Sequence, residues 1–232
     1  MNAGRTARER ARAELTREIT DEARRQLAKS GANGLSLRAV SRELGMVSSA
    51  LYRYFPSRDD LLTALILDAY AAVGDAAEAA DRADTDPTRR WYAVCAAIRG
   101  WGRAHPHEYA LVYGSPVPGY RAPRSTVSEA ARVPLVLVGV VRDAWAAGVL
   151  TPPADRPPPG HVLSGQLRRL AASVAPGLPG PVLTCALIAW TQLFGMISFE
   201  LFGQLVGSVD PSDEFFANAT ARMAELVGLP PR

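Results

Sequence analysis

Only two cysteines occur in 232 residues, Cys95 and Cys185, far apart and outside any CxxC pattern. That spacing argues against a disulfide framework and against a cysteine zinc site, leaving thiols in a reducing compartment as the expectation. Lysine is nearly missing. Lys29 is the only one among 26 basic residues, and with abundant Ala, Gly and Pro this composition suggests a GC-rich coding sequence. His105 and His107 bracket Pro106 without helical spacing or carboxylate companions, so no metal is expected. No GxSxG elbow, phosphate loop, dinucleotide fingerprint or clustered acid-and-histidine set occurs, which argues against an enzyme and against a bound cofactor. Alternating strand patterns, repeats and long heptad arrays are missing too. Charges stand near the N-terminus where a signal peptide needs an apolar core, so a cytoplasmic protein is expected.

Composition supplies ample core material, since 48% of the chain is hydrophobic. Charge is lopsided: residues 1–58 hold twelve Lys or Arg against six Asp or Glu, and residues 59–232 hold fourteen against seventeen. The net +3 is therefore +6 on the front quarter and −3 behind it, the asymmetry of a head that binds phosphate.

Residues 36–62, SLRAVSRELGMVSSALYRYFPSRDDLL, read as two short helices joined by a glycine turn and followed by a third. Ser36 suits an N-cap, and Leu37, Val40 and Leu44 give one apolar face. Gly45 permits the reversal and Ser48 can cap the next helix, on which Leu51 and Phe55 point inward. Pro56 ends it. Ser57 with Asp60 forms a capping box for a long helix to about Arg82. The pattern suits an ordinary helical hairpin, and it equally suits delivery of Ser48, Ser49 and Arg53 to base edges in a major groove. Ser36, Tyr52 and Arg58 are candidates for phosphate contact, with Arg38 and Tyr54 as further candidates. Ahead lies a helix over 6–30 with the stripe Leu15, Ile19, Ala23 and Leu27. Its upstream arginines, at positions 5, 8, 10 and 12, suit either a DNA-binding arm or a solvated terminus.

The run LSLRAVSRELGMVSSALYRYFPSRDDLL from Leu35 to Leu62 resembles the DNA-binding signature of the TetR family of transcriptional regulators. The hallmarks are Leu35 and Ser36, the Gly45 turn, Tyr52 to Phe55, and Ser57, Arg58, Asp59 and Asp60. Ser49 and Ala50 stand where many members carry a basic residue, which leaves the operator sequence open. The resemblance implies an all-α homodimer: an N-terminal three-helix helix-turn-helix DNA-binding domain, set here at residues 1–58, and a C-terminal helical ligand-binding and dimerisation domain over 59–232. It further implies a repressor on double-stranded DNA, at a palindromic operator, released by a small-molecule effector.

Behind the motif, Asp86 and Pro87 start a helix whose apolar face is Trp91, Val94, Cys95, Ile98 and Trp101. Pro106 opens a short segment to Gly114, and residues 115–125 read as loop. Thr126 with Glu129 suggests a capping box for a helix to about Ala147 that contains Pro134. Five prolines make 151–160 a stiff connector. Residues 181–207 then form a long apolar helix within a stretch that has no charge from Leu170 to Phe199. A membrane span is weighed against a buried helix, and the buried helix is preferred because Thr184, Thr191, Gln192 and Ser198 dilute the run. One seam holds Leu183, Leu187, Trp190, Phe194, Ile197, Leu201 and Leu205; a second holds Ile188, Gly195, Phe199, Phe202 and Val206. A last helix after Asp210 carries Phe215, Phe216 and Met223. Leu187, Trp190, Phe194, Ile197, Leu201, Phe216 and Met223 are the expected dimer contacts, in a four-helix interface made by the last two helices of each subunit. Trp91, Cys95, Trp101, His105, Tyr109, Tyr113, Trp145, Trp190 and Gln192 are the candidate lining of a site for a hydrophobic or aromatic effector, although core packing accounts for such residues as well.

Overall fold

The computed structural model describes residues 3–151 and 160–231, with side chains from residue 6. Among these the chain forms ten α-helices and no strand: α1 (Ala3–Ser30), α2 (Leu37–Glu43), α3 (Ser48–Leu51), α4 (Arg58–Arg82), α5 (Pro87–Ala104), α6 (Pro106–Tyr113), α7 (Val127–Ala146), α8 (His161–Val174), α9 (Gly180–Leu201) and α10 (Asp213–Val227). The expected all-α class is what the chain adopts. Two compact units result, residues 1–70 with 105–129 and residues 71–104 with 130–232. The proline connector expected at 151–160 lies, except for its ends, outside the described residues.

In the first unit, α1 buries Ile19, Ala23 and Leu27 at four-residue steps. Ile19 and Ala23 pack with Leu37 and Val40 of α2, Leu51 and Phe55, and Leu61, Leu62 and Leu65 of α4. Each such side chain removed from water contributes roughly 1.5–3 kcal/mol, so the helix-turn-helix is held by its core rather than by its short helices. Ser36 caps α2, its Oγ accepting the Ala39 N–H at 3.5 Å. Gly45, at φ 64°, makes the turn that a β-carbon would strain. Ser57 caps α4: its Oγ accepts the Asp60 N–H at 3.1 Å and donates to Asp60 Oδ2 at 2.7 Å. The 115–125 segment ends in a 3-10 turn (Arg124–Thr126), in which the Thr126 hydroxyl donates to the Pro123 carbonyl at 2.8 Å.

Two local expectations change. Ser48 does not cap α3; Val47 occupies the N-cap position without a side-chain hydrogen bond, and Ser48 Oγ shares a hydrogen with Ser41 Oγ at 3.2 Å. Regular α-helix also stops at Leu51. Tighter turns follow, with the Phe55 N–H still reaching the Leu51 carbonyl at 3.1 Å, so Phe55 keeps its inward aim.

In the second unit, Asp86 accepts the Arg89 N–H at 2.8 Å and so caps α5, whose Trp91, Val94, Cys95 and Ile98 are fully enclosed. Helix α7, which buries Val133, Leu137, Val140 and Val141, continues through Pro134. Helix α8 went unassigned from sequence although Leu163, Leu167, Leu170 and Val174 have helical spacing; only Leu167 among these is buried. Helix α9 is not enclosed on nearly every side as expected. Its one buried face, with Leu183, Ala186, Ala189, Leu193 and Ile197, packs in its own unit, while Ile188 and Phe199 are exposed. It also ends earlier. Gly203 and Gly207, at φ 81° and 78°, turn the chain, so Leu205 and Val206 lie beyond the helix.

Candidate nucleic-acid interface

Capping and packing in the first unit gather polar groups at one place. Leu35, Ser36, Leu37, Arg38, Tyr52, Pro56, Ser57 and Arg58 line an open cleft of ≈ 450 Å³, and none of them is acidic. Leu51 and Phe55 are held in the core, so Tyr52 between them must face outward; it is 43% exposed. Arg38, on the first turn of α2, is exposed as well. The cleft thus offers the Ser36 hydroxyl and the Arg38 guanidinium at the start of α2 and the Tyr52 phenol at the end of α3, a donor set that suits a phosphate, while the Ser57 hydroxyl is already given to Asp60.

Arg58 is partly committed elsewhere. Its Nε donates to the Leu35 carbonyl at 3.1 Å and its Nη2 to the Ala32 carbonyl at 2.7 Å, tying the start of α4 to the turn before α2. Ser57 lines the cleft too, with its hydroxyl engaged in the α4 cap. Ser48, Ser49 and Arg53 are exposed together along α3 and the turn after it, with Val47 70% exposed beside them. Tyr54 is half-buried in the core, under the Arg12 guanidinium at 5.2 Å from its ring centre.

The residues expected to line an effector site divide between the units. His105, exposed, sits 3.4 Å from Glu108; Tyr109 is enclosed and its ring lies 5.0 Å from that of Tyr113. Burial pushes the Tyr113 phenol well above its ordinary range. All three belong to the first unit. In the second, Trp91 is a core residue whose Nε1 donates to the Thr220 carbonyl at 3.4 Å. Burial likewise pushes the Cys95 thiol upward, away from the reactive thiolate. Trp101 is buried, and Trp145 is half-buried. Trp190 is also half-buried, and its indole N–H is enclosed without a hydrogen-bond acceptor among the described residues. Gln192 is exposed, in a cleft of ≈ 390 Å³ with Thr191, Gly195, Met196, Phe199, Leu205 and Phe215.

The expected dimer contacts fall into two groups by burial. Ile197, Phe216 and Met223 are buried inside a single subunit, and Leu187, Trp190, Phe194 and Leu201 are half-buried on the same side. The second seam is the open one: Ile188, Phe199, Phe202 and Val206 are exposed, with Phe215 beside them on α10. Arg99 of α5 fixes this end of the unit. It makes a two-point contact with Glu200 at 2.7 and 2.8 Å, reaches Asp213 at 2.8 Å, and stacks over the Phe216 ring at 4.5 Å.

Comparison with known proteins agrees with the geometry. A profile of bacterial regulatory proteins of the tetR family matches residues 19–65, and a tetracyclin repressor-like C-terminal domain matches residues 91–223. HTH-type transcriptional regulators of Mycobacterium bovis and Mycobacterium tuberculosis are each 41% identical over 240 residues, covering 93% of this chain and 94% of theirs. The crystal structure of SCO4313 is 34% identical with a TM-score of 0.78, covering 94% of this chain and 98% of that one. PfmR, a TetR family transcriptional regulator from Thermus thermophilus, is 17% identical with a TM-score of 0.56, covers 92% of this chain and 99% of its own, and shares the fold. The apolar helix α9 is long enough to cross a membrane by length and composition, yet it falls within the matched C-terminal domain. A helix-turn-helix built on a tight core, with a donor-lined cleft beside its second helix and a match along nearly the whole chain, makes this protein a member of the TetR family of DNA-binding transcriptional regulators and not an enzyme.

Proposed function

We propose that the protein is a homodimeric cytoplasmic repressor that binds a palindromic operator and is released by a small hydrophobic or aromatic effector. The acid-free cleft around Tyr52 carries the reading. Ser36, Arg38 and Tyr52 hold one phosphate strand there, Arg58 positions α4 against the turn before α2, and Ser48, Ser49 and Arg53 face the base edges. Residues 1–58 serve as the head and 59–232 as the sensing and dimerisation part. The exposed seam of Ile188, Phe199, Phe202 and Val206 with Phe215 joins the two copies, which explains why an apolar helix leaves large side chains in water. Two-fold pairing sets the heads one or more DNA turns of roughly 34 Å apart.

The sensing site lies near Trp190. Its enclosed indole N–H is a donor in search of an acceptor, which suits an aromatic effector carrying a carbonyl or similar group. Helix α4 transmits the signal, because Arg58 to Tyr70 belong to one unit and residues 71–82 to the other. Arg132 of α7 grips the second part, donating to Glu78 at 2.7 Å and to the Ala71 carbonyl at 3.2 Å. Effector binding that shifts α4 weakens operator affinity by the coupling free energy. Binding-site selection from random DNA, followed by titration of a ligand panel against the selected sequence, tests this. An enriched inverted repeat released by one ligand class supports the reading; no enriched sequence sinks it.

A further inference from the structure

From the course of α1 we infer a second DNA contact, made by the projecting first turns of that helix and resting on the proposed operator binding. Helix α1 begins at Ala3, well before the core it serves. Residues 6–14 are exposed on every side, and burial starts only at Leu15 and Ile19. The extension is rich in Ala, Arg and Glu, strong helix formers, and it continues a helix already nucleated by packing, so it needs no contacts of its own to form.

The side chains on it are ordered by face. Arg8 and Arg12 are four residues apart, hence neighbours on one side of the helix, in line with Ile19 and Ala23, which face the core. Arg10 and Glu14 point away, and Glu9 stands at the edge. Arg12 lies over the Tyr54 ring at 5.2 Å, which fixes that side of the extension towards the end of the recognition segment. Arg8 sits one turn, about 6 Å, further out along the same line. Two like charges at this spacing disfavour an isolated helix, and an anionic partner removes that penalty. With four arginines against two glutamates over residues 5–14, and with continuity to α3 through Tyr54, the complementary partner is the DNA phosphate backbone flanking the bases read by α3. Arg8 makes a sequence-independent contact there. Arg12 shares its charge between Tyr54 and the same strand.

The test compares three variants of the full chain, Arg8→Ala, Arg12→Ala and Arg10→Ala, for binding to the selected operator across a salt series. All three lose the same charge, so bulk electrostatics is matched and only the face differs. Arg8→Ala is expected to reduce the slope of log affinity against log salt by about 1 per subunit and to weaken binding several-fold at moderate salt, whereas Arg10→Ala changes neither. Base preference stays unaltered throughout. Thermal unfolding separates any loss of Tyr54 packing in Arg12→Ala from a lost contact; Arg8, which is exposed, carries the test alone if Arg12→Ala unfolds early. Wild-type binding with equal slopes for Arg8→Ala and Arg10→Ala overturns the inference and leaves the repressor reading intact. Wild-type failure to bind any DNA overturns both.

Discussion

At the scale of single residues, Tyr52 shows how a core can aim a functional group. Its neighbours Leu51 and Phe55 are locked inward, so its phenol is presented by the core and needs no contact of its own. Removing the hydroxyl in Tyr52→Phe is expected to weaken DNA binding about tenfold, equally on operator and unrelated sequences, with unchanged thermal stability. Fluorescence anisotropy on both DNAs checks it; a changed base preference would contradict the phosphate role. Arg58 shows the converse. Its type and position suggested a free phosphate ligand, yet two backbone carbonyls occupy its guanidinium, a partnership between residues 58, 35 and 32 that no sequence window displays.

At the scale of elements, capping decides where helices start and tertiary contacts decide how far they run. Ser36, Ser57 and Asp86 are caps legible from residue type and spacing, and each behaves accordingly. Residues after Leu51 depart from the expected longer α3, because the inward aim of Phe55 outweighs regular α-geometry in so short an element. The joint between α5, α9 and α10 depends on Arg99. In Arg99→Met, Glu200 loses its two-point partner while remaining largely buried, a loss of about 3 kcal/mol at neutral pH. The pH dependence follows from the carboxyl. Burial pushes Glu200 up, but the hydrogen bonds from Arg99 and Ser212 outweigh it and hold the carboxyl below its ordinary 4.5. A lowered folded-state value stabilises the wild type above pH 4.5, and that contribution fades as pH falls through the lowered value. Without Arg99, only Ser212 and Arg103 oppose burial, the largest influence on this carboxyl, and it shifts upward, so acid relieves the strain in the variant. The gap in Tm between wild type and Arg99→Met should therefore narrow as pH drops from 7 to 4, measured by differential scanning calorimetry; a constant gap would contradict the pairing.

For the whole molecule the question is which face of α9 meets a second copy. Both seams are apolar in sequence and both repeat at helical spacing, so periodicity has no means of choosing between them. The structure leaves one half-buried to buried within the subunit and the other exposed. Phe199→Arg, at a position 55% exposed, is expected to leave the subunit folded but monomeric and to cost most of the operator affinity. Phe216→Ala, on the buried side, should instead destabilise each subunit by about 3–5 kcal/mol. Sedimentation equilibrium with thermal unfolding distinguishes them, and dimeric Phe199→Arg protein would move the interface elsewhere.

The helix-turn-helix was legible because its determinants are local: a cap, an i to i+4 stripe, a glycine turn and a proline stop lie within 27 residues. The +6 charge of residues 1–58 likewise belongs to composition alone. Features that arise from long-range packing stayed closed to the sequence. Helix α8 buries only Leu167, so its apolar spacing carries little weight in isolation. The aromatic residues assigned to one effector site divide between two units, since a tryptophan in a core and one beside a ligand have the same sequence signature. The sequence by itself determined which segment carries the DNA-reading motif and where its capped helices begin, because those depend on neighbours within a few residues. Only tertiary structure decided which of two equivalent apolar faces stays in solvent and which arginine is already engaged, because those depend on what the fold brings from far along the chain.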